Sequence, residues 1–149
     1  MCLTQNFQEA FQKLYDDLPR NRYDALRFRE KFDQHLVALN DLLENGAEIG
    51  DRFDATLYKY IYPDCKEQKE YTEELFYLLL SKEVTTPNMA YCVSLCMSNR
   101  EFKILEEIFK RIDDLGSLGT FNVRTKDLLD FLQGFNDVKI NNLVENRRT

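Results

Sequence analysis

Apolar residues recur at intervals of three and four along most of this chain, and nowhere do they alternate with polar ones for long enough to argue a strand. Phe7, Phe11, Leu14 and Leu18 form the first stripe, after Thr4 as an N-cap and before Pro19 as a stop. A long second helix is expected from Asp24, with Phe28, Phe32, Leu36, Leu39 and Leu43 on its buried face and Asn45-Gly46 ending it. Asp51 opens a short helix carrying Phe53, Leu57, Tyr60 and Ile61; Pro63 closes it by disfavouring the helical conformation at Tyr62. Asp64 and Glu67 have the arrangement of a capping box before Tyr71, Leu75, Leu78 and Leu79.

A fifth helix starts at Thr86, with Pro87 in the first turn, where its missing N–H costs nothing, and carries Met89, Val93 and Met97. Ser98 and Glu101 read as a capping box ahead of Phe102, Leu105, Ile108, Phe109, Ile112 and Leu115, with Gly116 and Gly119 as stops. A last pair is expected over Val123, Leu128, Leu129 and Leu132, then Val138, Leu143 and Val144. The pattern predicts an all-α protein, a single domain over residues 1–149, with seven to eight helices arranged as antiparallel hairpins. These form either a short helical-repeat stack or an irregular bundle.

The helix-start signals at Asp51, Thr86-Pro87 and Asn122 recur about 35 residues apart, a period typical of stacked helical hairpins. At an offset of about 34, Met89 matches Val123, Leu95 matches Leu129 and Phe109 matches Leu143 in hydrophobic class. Pro87-Asn88-Met89-Ala90-Tyr91 and Asn122-Val123-Arg124-Thr125 resemble the openings of tetratricopeptide or pentatricopeptide hairpins. The first resemblance implies protein ligands and the second single-stranded RNA. The chain departs from the tetratricopeptide pattern in lacking Trp, and from the pentatricopeptide pattern in its acidic balance. In length, acidic balance and Asn- and Tyr-rich helices it is also similar to the small Bcl-2-like immune modulators of poxviruses, which implies a compact regulator or inhibitor.

Composition narrows the function classes. With 44% hydrophobic and 31% charged residues but 5 Gly and 3 Pro, the chain sits on the globular, helix-rich side of average usage. The 11 Phe and 8 Tyr are expected to fill the space between helices. A net charge of −6 disfavours broad attraction to phosphate backbones. Cys2, Cys65, Cys92 and Cys96 do not have the spacing of a disulfide framework, and neither a secretory signal nor a transmembrane stretch is evident, so an intracellular location, cytoplasmic or nuclear, is expected.

Candidate chemistry is sparse. Cys92 and Cys96 lie one turn apart, yet a zinc site needs four ligands and His35 is the one His in the chain, which also removes Cys-His and Ser-His-Asp catalysis except through it. Gly116-Ser117-Leu118-Gly119 has G-x-x-G spacing but no predicted sheet beside it. The acidic pairs Asp16-Asp17, Glu73-Glu74, Glu106-Glu107 and Asp113-Asp114 read as solvated helix faces. Against this acidic background Arg20, Arg22, Arg27, Arg29 and Lys31 gather around the start of the second helix, and Arg forks onto carboxylates and phosphates. No catalytic residue, cofactor or metal is therefore expected. The expectation is a non-enzymatic protein-interaction module, an adaptor or scaffold using this basic cluster, with an RNA-binding repeat or an oligomeric structural protein as alternatives.

Overall fold

In the computed structural model, which describes residues 2–82 and 86–114, the periodic stripes become helices and no strand occurs among those residues. Six helices are present there: α1 (Leu3–Asp17), α2 (Arg22–Glu44), α3 (Arg52–Ile61), α4 (Lys66–Leu80), α5 (Thr86–Ser98) and α6 (Phe102–Asp114). This is fewer than the seven to eight expected; the final pair, with Asn122 and the Gly116–Gly119 segment, lies outside the described residues, as do the side chains of Met89, Met97 and Phe109. The chain divides into two compact units, Met1–Glu83 and Val84–Thr149.

In the first unit Phe7, Phe11, Leu14, Phe32, Leu39, Phe53, Leu57, Leu75, Phe76 and Leu79 are fully buried, so each helix contributes its periodic stripe to one core. Aromatic rings do much of the joining: Tyr71 of α4 lies 4.6 Å from Phe32 and meets Phe28 edge-on at 5.4 Å, while Phe53 meets Phe76 edge-on at 5.8 Å. The phenol of Tyr71 donates to the Ala25 carbonyl at 2.8 Å, tying α4 to the first turns of α2.

The contacts between α1 and α3 and between α2 and α4 run at a nearly constant offset. Arg52 of α3 donates to Gln8 and, at 3.3 Å, to Gln12 of α1, and Lys59 lies over the ring of Tyr15. Along α2, Arg22 meets Glu67, Ala25 meets Tyr71 and Arg29 meets Glu74, separations of 45 or 46 residues. Helices that touch at a constant offset run parallel, so α1 lies along α3 and α2 along α4. The offset is larger than the spacing of about 35 residues read from the start signals. That spacing is read from Asp51 onward, where α3 and α5 do begin at Arg52 and Thr86; the first hairpin is longer because α2, expected to be long, has 23 residues.

Helix ends differ from several of the expected caps because short polar side chains found tertiary partners. Cys2, not Thr4, is the N-cap of α1; the Thr4 hydroxyl instead accepts from the Glu48 N–H at 3.1 Å, beyond the end of α2. Asn21 caps α2, its side-chain Oδ1 accepting from Asp24 N–H at 2.8 Å, so Asp24 sits in the first turn. Asp51 precedes α3 without a side-chain cap bond, and Cys65 holds the N-cap of α4. Asp64 pairs with Gln68 rather than Glu67: its N–H donates to Gln68 Oε1 at 2.7 Å, and Gln68 Nε2 donates back to its carboxylate at 3.2 Å. Gln68 Nε2 also donates to the Pro19 carbonyl at 3.1 Å, stitching the α1–α2 turn to the start of α4. At Asn45-Gly46 the expected stop forms, with Gly46 at φ +105° and Ala47 N–H bonded to Leu42 O at 3.0 Å, the two marks of a Schellman end.

In the second unit α5 and α6 form a hairpin around Cys92, Val93, Cys96, Ile104, Leu105 and Ile108, all buried. Ser98 is the last residue of α5 and does not cap α6. Arg100, at φ +57°, occupies the left-handed position, and Glu101 N–H returns to Cys96 O at 2.8 Å. The S-x-x-E pattern is therefore the C-terminal stop of one helix, met by the beginning of the next.

Candidate functional site

The five basic residues are all exposed and all lie in or just before the first half of α2, but the turn of the helix distributes them. Arg29 points across to α4, where its guanidinium forks onto Glu74 at 2.5 and 2.8 Å and also reaches Asp33 at 2.6 Å. These carboxylates raise its pKa further above the ordinary arginine value. Lys31 faces the other way and pairs with Asp17 of α1 at 3.2 Å, an interaction that holds the Asp17 carboxyl below its usual range. Arg22 lies 3.8 Å from Glu67. Arg27 folds back on Tyr23, bonded to its hydroxyl and 4.5 Å from the ring centre; Arg20 stands in the turn, where it adds slightly to the pull of Gln68 first and Lys59 next that holds the Asp64 carboxyl below its usual range. The turn of α2 therefore sets Arg22 and Arg29 on the side facing α4, and Arg27 nearer to Lys31, one turn on, about 140–160° around the helix from them.

The other candidates named from the sequence, the Cys92 and Cys96 pair and His35, are set in packing. Cys92 and Cys96 are both buried, and burial pushes the Cys96 thiol up to about 12, leaving it protonated and unreactive at neutral pH. His35 has a 14% exposed side chain beside Phe28; its Nε2 lies 3.4 Å from Asp17 Oδ2, without the alignment of a hydrogen bond. No group of three or more His, Cys, Asp or Glu placed to hold a metal occurs among the described residues. Nor is any helix there long and apolar enough to cross a membrane.

What the sequence reading passed over is the outward face of the same helix. Leu26, Tyr23 and Val37 are 73%, 63% and 62% exposed, the three most exposed of the large hydrophobic side chains described. At about 100° per residue, Leu26 is about 160° around the helix from Phe28, and Val37 about 140° from Phe32, so they fall opposite the buried stripe. That rotation was available from the sequence and would have found them. Between them lie Arg27, Glu30, Asp33 and Gln34, making a shallow open surface along α2.

On its other side Leu26 forms the lip of a cleft between α2 and α4, about 260 Å³ in volume, lined by Ala25, Leu26, Arg29, Glu67, Glu70, Tyr71 and Glu74. Ala25 and Tyr71 are buried and make its floor. No known protein family, curated protein or solved structure matches this chain. The geometry of this face is therefore the ground on which function is argued.

Proposed function

We propose that this chain is a non-enzymatic protein-interaction module that presents the outer face of α2 to a partner protein. The observation that carries the reading is the clustering of Tyr23, Leu26 and Val37 on one side of a single helix. Isolated exposed apolar residues are ordinary, whereas a strip of them rimmed by Arg27, Glu30 and Gln34 has the make-up of a binding patch. We read α1–α2 and α3–α4 as two stacked hairpins, like helix along like helix, an arrangement that suits a short repeat stack whose end face is ordinarily polar. Here that face carries the three apolar side chains, and Arg27 beside Tyr23 is the member of the basic cluster best placed to join them.

Proximity labelling in cells tests this, comparing the natural chain with Leu26→Asp/Val37→Asp and with Arg27→Glu/Lys31→Glu. These positions are exposed, so circular dichroism should show the helical fold retained in both variants, with the charge-reversed one less stable because Lys31→Glu breaks the pair with Asp17. The expected result is loss of the same neighbours in the apolar variant and weaker capture in the charge-reversed one, with binding by the natural chain being the salt-sensitive one. Retention of every neighbour by the apolar variant would refute the reading, and RNA co-purifying with a steep salt dependence would replace it with nucleic-acid binding.

A further inference from the structure

The cleft between α2 and α4 has an unbalanced charge. Its lining holds one cation, Arg29, and three carboxylates, Glu67, Glu70 and Glu74, on successive turns of α4. Arg29 is spent on Glu74 and Asp33, and Arg22 reaches Glu67 from the rim. Glu70, exposed between them, has no cation among the described residues within ion-pair distance, not even Lys66 one turn earlier. The negative charge around it is felt by its neighbour: Tyr71 is held above the ordinary phenol range by burial first, with Glu74, Asp33 and Glu70 adding to it against Arg29. Beside this carboxylate stands the most exposed apolar side chain described, Leu26, with the buried Ala25 and Tyr71 beneath.

We infer that the cleft receives a cationic amphipathic segment of a partner protein, a Lys or Arg entering toward Glu70 while an apolar residue one turn away rests on Leu26. The inference rests on the docking reading of α2 and specifies the chemistry of what docks. The pattern Arg22–Glu67, open Glu70, Arg29–Glu74 leaves one carboxylate in a row of three for the partner to complete. The apolar contact gives the segment its orientation and excludes water from the new ion pair, which strengthens it over a fully exposed one.

The test uses two synthetic helical peptides, one of leucine and lysine and one of leucine and glutamate, titrated into the isotope-labelled full chain and followed by amide chemical shifts. The expected result is a footprint of the lysine peptide on Ala25, Leu26, Glu70 and Tyr71. Its affinity should fall about fivefold in Glu70→Gln, further in Glu70→Lys, and little in the control Glu48→Gln, a drop that corresponds to about 1 kcal/mol. Equal weakening by Glu48→Gln would show diffuse attraction to an acidic protein and overturn the inference. A glutamate peptide binding the same face as tightly would leave the docking reading standing and remove the cationic one. Contact by neither peptide with α2 would remove both.

Discussion

Replacing Gln68 by Glu changes one nitrogen for oxygen and should destabilise the protein more than removing the side chain's polarity altogether. Gln68 is 1% exposed and its amide is used at both ends: Oε1 accepts from Asp64 N–H, and Nε2 donates to the Asp64 carboxylate and the Pro19 carbonyl. Gln68→Met leaves the buried Pro19 carbonyl with only the weak Cys65 thiol donor at 3.7 Å and takes the acceptor from Asp64 N–H, a cost of about 1–3 kcal/mol. Gln68→Glu keeps the acceptor but turns the donor into a carboxylate facing a carbonyl and a second carboxylate, and an uncompensated buried charge of this kind costs about 3–5 kcal/mol. For a chain of this length the larger figure corresponds to a fall in Tm of about 6–20 °C at pH 7.

The sign of the pH dependence separates the two variants. The introduced carboxyl has a folded pKa raised above its unfolded value of about 4.3, so its penalty is full above the folded pKa and vanishes below about pH 4. There its O–H can also donate again. Thermal melts monitored by circular dichroism from pH 7 to pH 4 should show Gln68→Glu converging on the natural protein while Gln68→Met keeps a constant deficit. A Gln68→Glu melt within about 2 °C of the natural protein at pH 7, or a deficit independent of pH, would refute the role given to this amide.

Arg100→Gly should stabilise by about 0.5–1 kcal/mol in denaturant titrations by relieving the left-handed backbone at φ +57°, partly offset by losing the guanidinium over the Phe102 ring, whereas Arg100→Val should destabilise. Asp17 has a folded pKa lowered chiefly by Lys31, so it contributes stability above its unfolded pKa that is lost as pH falls through the folded value; Asp17→Asn should lower Tm at pH 7 and flatten the decline in acid. With iodoacetamide at neutral pH, Cys2 should react first, because it is exposed and backbone N–H groups of Gln5 and Thr4 at the start of α1 lower its pKa, while Cys92 and Cys96 should react only in denaturant.

Periodicity by itself determined the helical class and most of the core. Phe7, Phe11, Phe32, Leu39, Phe53, Leu57, Leu75 and Leu79 occupy the positions that a 3.6-residue repeat turns inward, and burial of such a stripe depends little on what lies opposite. The stops at Gly46 and before Pro63 were legible for the same reason, since they follow from the backbone preferences of Gly and Pro. N-caps were less legible: Thr4, Asp64 and Ser98 carry side chains that can serve several donors, and tertiary neighbours decided which. Tertiary structure alone decided that Arg29 meets Glu74 across 45 residues while Lys31 meets Asp17 on the opposite side, dividing a cluster that is contiguous in the chain. It also placed Leu26 between the outer face of α2 and the α2–α4 cleft, with Glu70 left open beside it. Sequence spacing describes one helix at a time, whereas a binding surface depends on which charges the neighbouring helices have already neutralised.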